Sequence, residues 1–211
     1  MTTPHRLLRE QWRLARAELI LNEAEKLLAE KGYHDTSIDE IAARAGVAKG
    51  TLYQHFPSKE ALIMALLERN VELLEQTLQR IAREALPAPA RLEHLLYYVY
   101  QERGGQHKFL LQFIDQSIEG RQSLMTGKHR HIYERWQQIT CQIRGMLEDG
   151  KAEGAFDQTI ATELMLCLFL DLLTLGGREP LTATLSAEEL FAQVKRVFLK
   201  ALSAGSESNP L

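Results

Sequence analysis

Between Lys49 and His55 the chain offers an ammonium, a hydroxyl, a phenol, an amide and an imidazole within one short run, KGTLYQH. Such groups donate to phosphate oxygens and to the edges of bases, the chemistry by which nucleic acids are held and read. The run closes the longer stretch IDEIAARAGVAKGTLYQHF, residues 38–56, whose apolar positions predict two short helices at a fixed angle. Ile41, Ala45, Val47 and Leu52 supply the contacts between them. Ala42 sits where the helices cross, and a larger side chain there would push them apart. Gly46 falls in the turn, where a positive φ is easiest without a Cβ. This geometry leaves the second helix projecting outward, able to enter a major groove with Lys49, Gly50, Thr51, Tyr53, Gln54 and His55 on its open face. An Ala-Gly-Val tripeptide alone is ordinary punctuation of a helical hairpin. Its agreement with the surrounding apolar positions is what favours a DNA-reading unit.

Other reactive residue types do not assemble into chemistry. His129, Arg130 and His131 suggest a metal, but residues two apart do not share a helix face, and no carboxylate or cysteine stands at ligand spacing. No metal site or cofactor is expected. The two cysteines, Cys141 and Cys167, form no CxxC pair and read as buried apolar fillers rather than redox sensors. A nucleophile elbow and a phosphate loop are both missing, so no catalytic residues are assigned and an enzyme is not expected.

Helices must position these groups. Ala17, Ile20, Leu21, Ala24, Leu27 and Leu28 repeat at helical spacing and predict a first helix that Gly32 ends as a left-handed cap. Ser37 and Glu40 have the spacing of a capping box, which starts the helix at Ile38. Pro57 stops the reading helix, and Ser58 caps a long helix from Lys59 to about Glu84. Pro87 and Pro89 mark a break, followed by candidate helices at 90–103, 106–119, 126–152, 159–175 and 187–203. Ser186 and Glu189 repeat the capping box at the last. No alternating β-branched window competes. The expectation is an all-α chain of about nine helices: a helix-turn-helix domain over 1–57, a larger helical body over 58–203, to which the resemblance described below assigns ligand binding and dimerisation, and a polar, disordered tail from 204 to 211.

Charge complicates the DNA reading. The 211 residues carry 25 Lys and Arg against 28 Asp and Glu, a net of −3, and residues 1–60 hold nine of each sign. Positive charge on a DNA-binding unit must then be concentrated on one face. Lys49, Lys59 and the arm Arg6, Arg9, Arg13, Arg16 are the candidates. The arm reads equally as a grip on phosphate or a flanking minor groove and as the solvated first turns of helix one. The most apolar stretch, Leu164 to Leu175, is shorter than the ~20 residues of a spanning helix. With a polar, arginine-interleaved start, that leads to an expectation of a cytoplasmic protein with no membrane partner.

The segment TSIDEIAARAGVAKGTLYQHFPSKEALIMAL, residues 36–66, resembles the DNA-binding signature of the tetracycline-repressor (TetR/AcrR) family without gaps, and the match extends over about 14–66. Beyond it only helix count, helix lengths and the segment GKAEGAFD are loosely similar. The resemblance implies a palindromic operator in double-stranded DNA, bound by a homodimer. It implies that Thr36 and Ser37, at a helix N-terminus, contact phosphate. Lys49, Thr51 and Tyr53 match positions touching backbone or bases, Gln54 and His55 positions that vary and set preference or touch phosphate, and Lys59 a phosphate-binding lysine. It further implies a transcriptional regulator, by family habit a repressor, released by a small and largely apolar ligand. A redox-switched regulator without such a ligand is the alternative.

The residues of the larger half fit that picture. Leu164, Leu166, Leu168, Phe169, Leu170, Leu172, Leu173 and Leu175 make a helix apolar nearly all round, which needs burial on more than one side. Leu190, Phe191, Val194, Val197, Phe198 and Leu202 add a stripe on the last helix, and these two helices are the expected dimer interface. Asp171 within the run requires a partner, either an arginine across the interface or a group in a pocket. His94, Tyr97, Tyr98, Phe109, Gln112, Phe113, Gln116, Tyr133, Trp136 and Asp171 are candidate linings of a ligand cavity, since aromatics with a few polar groups bind small apolar molecules. Each of these aromatics also reads as plain core. Gly145 inside a helix suggests close packing or a bend.

Overall fold

The apolar repeats become helices in a computed structural model that describes residues 4–102, 129–175, 181 and 183–203. We label them α1 (Pro4–Asp35), α2 (Ile38–Arg44), α3 (Lys49–His55), α4 (Lys59–Arg83), α5 (Ala88–Tyr97), α6 (Arg130–Ala152), α7 (Thr162–Leu175) and α8 (Ala187–Leu202). A π-helical turn, Tyr98–Glu102, follows α5 directly. Among the described residues the all-α expectation holds: no strand forms, and Phe156 and Ser203 make one isolated bridge. The helix expected over 106–119 lies outside the described residues. By contacts the chain divides into two units, Met1–Arg69 and Asn70–Leu211, a division that falls within α4.

In the first unit α1 buries Ile20, Leu21, Ala24, Leu27 and Leu28, the face its spacing dictated. The first helical run breaks at Gly32, as expected, but not through a left-handed cap. That residue takes φ 79° with an extended ψ of 178°, a kink, and helical turns resume to Asp35. The Ser37–Glu40 capping box forms with both bonds made, the hydroxyl receiving Glu40 N–H at 3.2 Å and the carboxylate receiving Ser37 N–H at 3.0 Å. Ser58 caps α4 through Ala61 N–H at 3.0 Å. Glu25 is buried, and Arg69 of α4 meets it at 2.7 Å while also donating to Asn22 Oδ1 at 2.8 Å. A buried carboxylate needs such a partner, so this pair fixes α4 to α1.

In the second unit α5 packs on α6, α6 on α7, and α8 on α5, the π turn and α7. Phe169 and Phe198 bring α7 and α8 together with ring centroids 5.0 Å apart. Arg135 pairs with Glu75 at 2.6 Å, and Lys195 with Glu93 at 2.6 Å. The second capping box, Ser186 with Glu189, is also complete. Gly145 corrects an expectation: no described residue lies within 4 Å of the Cβ it lacks, so close packing is not its role. That role belongs to Gly150, where a Cβ would stand 2.2 Å from the ring of Phe156, itself 1% exposed. The chain turns after α6 so that Ala155 and Phe156 N–H both reach Gly150 O, at 2.9 and 3.0 Å. The turn thereby folds the ring back over the helix end.

Candidate nucleic-acid interface

The turn between α2 and α3 is closed by backbone bonds. Ala45 N–H reaches Ile41 O at 2.9 Å, Gly46 N–H reaches Ala43 O at 3.2 Å and Val47 N–H reaches Ala42 O at 3.0 Å. Gly46 has φ 64°, in the left-handed region where a side chain is strained. Ala42 is 3% exposed at the crossing. Leu52 and Phe56 are buried and pin one side of α3 inward. The other side is open: Lys49, Gly50, Tyr53 and Gln54 are exposed, and Thr51 and His55 are half-buried. Six of the nine residues expected to meet DNA thus form one surface.

The remaining three fare differently. Ser37 is exposed but engaged in its capping box. Thr36 is 2% exposed, and its hydroxyl donates to Gly32 O at 2.7 Å, bridging the kink in α1. Its side chain is therefore turned away from any phosphate, contrary to expectation, because the extended backbone at Gly32 leaves a carbonyl that needs a donor. Lys59 lies over the Tyr33 ring, 4.2 Å from its centroid, and donates to the Tyr33 carbonyl. Burial lowers its pKa from the ordinary lysine value.

Ion pairs explain how a neutral unit can still present charge. Lys49 pairs with Asp39 at 2.7 Å, Lys31 with Glu40 at 2.6 Å, and Arg44 with Glu30 at 2.6 Å through both guanidinium nitrogens. Asp39 raises the pKa of Lys49, and the Lys31 bond leads the effects that hold Glu40 down to about 2. The Asp39–Lys49 pair went unforeseen because ten residues across a turn is no helical spacing. His55 is shifted below the ordinary histidine value, first by burial and then by the positive fields of Arg13 and Arg16.

The expected ligand cavity is divided. Phe109, Gln112, Phe113 and Gln116 lie outside the described residues. His94 and Tyr97 are exposed and line a groove of about 460 Å³ with Arg80, Ile81, Glu84, Glu93 and Phe191. There His94 pairs with Glu84 at 3.0 Å, and the Tyr97 ring meets Phe191 edge-on at 5.5 Å. Arg80, Glu84, Glu93 and Phe191 were not foreseen as a lining, since only the convergence of α4, α5 and α8 makes them neighbours. Tyr98 and Trp136 are buried, and Tyr133 is half-buried. Tyr100, near them in sequence, donates its hydroxyl to Leu172 O. Asp171 is exposed rather than buried, because it stands on the open face of α7 with Leu164 and Leu168. Cys141 and Cys167 are exposed too, which corrects their reading as core fillers. Each sits on its helix's outer face. Among the described residues no cluster of His, Cys, Asp and Glu could hold a metal, and no helix is long and apolar enough to cross a membrane.

A small-residue turn that holds one short helix open against another is the geometry of a helix-turn-helix. The family profile described as "Bacterial regulatory proteins, tetR family" matches residues 20–66. The regulator UidR of Escherichia coli K12 is 28% identical over 191 residues, spanning 89% of this chain and 92% of its own. The ketosteroid transcriptional regulator KstR2 of Mycobacterium tuberculosis shares the fold with a TM-score of 0.73 at 24% identity, over 90% of this chain and 96% of that one. AibR, solved with isovaleryl coenzyme A and operator DNA, does so at 0.67 and 21% over 89% and 98%. Residues 20–66 are thus similar to the DNA-binding segment of TetR-family transcriptional regulators, and regulators of that kind resemble the chain over most of its length.

Proposed function

We propose that the protein is a homodimeric, cytoplasmic repressor that leaves a palindromic operator when a small, largely apolar ligand binds its helical body. The observation that carries the DNA half is the open donor row of α3, Lys49 to His55, set against buried Leu52 and Phe56. Gln54 and Tyr53 face outward to specify bases. Lys49, Thr51, Ser37 and Lys59 hold phosphates, the two lysines after leaving their resting partners.

Dimerisation is supported by Leu164 at 53% and Leu168 at 44% exposed on α7 and Val197 at 59% on α8. These side chains leave water when the two helices pack on their copies. The ligand reading rests on the buried aromatics Tyr98 and Trp136 and on the groove at His94 and Tyr97. That AibR was solved with an acyl thioester of coenzyme A adds weight to a partly apolar effector. No enzymatic turnover is proposed.

Selection of genomic fragments bound by the purified protein, followed by footprinting, tests the reading. A protected palindrome with half-sites about 34–36 Å apart is expected. Recovery of no enriched sequence at moderate salt would sink it. The exposure of both cysteines favours one alternative, a thiol-switched regulator. Operator affinity that falls on mild peroxide treatment and recovers with a thiol reductant would establish that switch, whereas unchanged affinity removes it.

A further inference from the structure

The first unit contains ten Lys and Arg residues. Among the described residues Lys26, Lys31, Arg44, Lys49 and Arg69 are each in an ion pair, and Lys59 rests on Tyr33. Arg6, Arg9, Arg13 and Arg16 are exposed and make no ion pair with any described residue. Six acids of the unit, Glu18 to Glu40, are spent on the other cations, and Glu10 is the one acid before Glu18. Net positive potential is thereby gathered on the N-terminal half of α1.

The side of α1 on which they stand follows from spacing. Arg6 and Arg13 precede Ile20 and Leu27 at seven-residue intervals, and seven residues are nearly two full helical turns. Ile20 and Leu27 are 0% and 4% exposed, on the face α1 turns toward the rest of its unit. The arginines prolong that face past the last packed turn. Arg13 and Arg16 stand near enough to His55, on the last turn of α3, for their charge to act on its imidazole.

We propose that Arg6, Arg9, Arg13 and Arg16 form a phosphate clamp that grips the DNA backbone beside the groove entered by α3. This rests on the DNA-binding reading above and extends the binding surface beyond the helix-turn-helix. From Arg6 to Arg16 the helix rises about 15 Å, close to four base-pair steps of about 3.4 Å. Guanidinium groups suit the task because they grip phosphate through two parallel N–H donors. The clamp reads no bases, so it strengthens operator and random DNA alike.

A second occupant is conceivable in chemistry, an anionic bilayer, because Leu8 at 52% and Trp12 at 66% exposed stand on another face of the same helix. Charge placed beside the reading helix favours DNA. The test compares the full chain with two quadruple variants, all four arginines to Gln and all four to Lys, on the selected operator and on a scrambled duplex. For the Gln variant, affinity for both duplexes should fall by an order of magnitude or more near 0.15 M salt with their ratio kept. The slope of log K against log salt should also shrink by about 0.9 for every phosphate that is no longer neutralised. The Lys variant, which alters shape similarly but keeps charge, should restore most of the slope. Unchanged slope and affinity in the Gln variant overturn the clamp while leaving the helix-turn-helix reading intact. A parent chain that binds neither duplex overturns that reading itself. Vesicles of anionic phosphatidylglycerol that blue-shift Trp12 fluorescence, with no change in DNA affinity, assign the arm to membranes instead.

Discussion

Lys49 is held by Asp39 in the free protein, and both side chains are more than half exposed. An exposed pair of this kind contributes little to stability, on the order of 0–1 kcal/mol. On the proposed DNA-binding reading, Asp39 does more as a negative charge beside α3 than as a prop for the fold. Asp39→Asn is expected to leave the melting temperature within about a degree or two and to tighten operator binding several-fold, as measured by fluorescence anisotropy. Two titrations follow from the same surface. Glu40 keeps its charge down to about 2, so what its capping box and Lys31 bond add to stability is present above pH 4.5 and is lost as pH falls from there toward 2. His55 has the opposite identity but the same sign. Its folded pKa lies below the ordinary value near 6.5, so the unfolded chain takes up the proton first and stability declines on acidification below that value. Arg13→Gln with Arg16→Gln should move the His55 midpoint upward in an NMR titration, and no movement would show that burial alone sets it.

Among the helices, packing separates residues that sequence ranks the other way. Two glycines lie in α6, and the sequence marks Gly145 as the unusual one because it interrupts a helix. The structure reverses their importance. Gly150→Ala puts a methyl into the Phe156 ring, which has no room to retreat, and overpacking of this sort costs about 1–3 kcal/mol. Gly145→Ala meets nothing described and should gain up to ~1 kcal/mol from helix propensity. Thermal melts of the two single variants should move in opposite directions. A shared direction would refute the assignment. What sequence made legible here was set locally: capping boxes at Ser37 and Ser186, the stop at Pro57, the turn at Gly46. What it hid was set by distant return of the chain, such as Phe156 folding back on Gly150, or by register across a turn, such as Asp39 reaching Lys49. The candidate site divides on the same line. The open face of α3 follows from periodicity, whereas the groove at His94 needs three helices to converge before Phe191 joins it.

For the molecule as a whole, the proposed dimer rests on the apolar surface of α7 and α8. A helix that looked apolar all round in sequence is two-sided in the single chain: Phe169 and Leu173 face inward, while Leu164, Leu168 and Cys167 face water. Leu168→Glu, or Leu164→Glu, adds a charge to that outer face without touching the core. Either substitution is expected to shift the protein from dimer to monomer in sedimentation velocity and to weaken operator binding at least a hundredfold, since one reading helix then engages one half-site at a time. A variant that stays dimeric would move the interface elsewhere.

The pairing of Lys49 with Asp39 carries a consequence in the thermodynamics of ion exchange. A bare lysine meeting a phosphate releases a condensed cation into the bulk, and dilution of that cation is the entropy that makes binding salt-sensitive. Lys49 already has a resident counterion, and it is tethered to the backbone of α2. Swapping it for a phosphate leaves Asp39 uncompensated and draws a mobile cation back to it, cancelling most of the release. Lysines so tied are nearly silent in the salt dependence of binding. The slope then counts the cations that rest without a partner, which makes it a direct census of how the protein has distributed its charge.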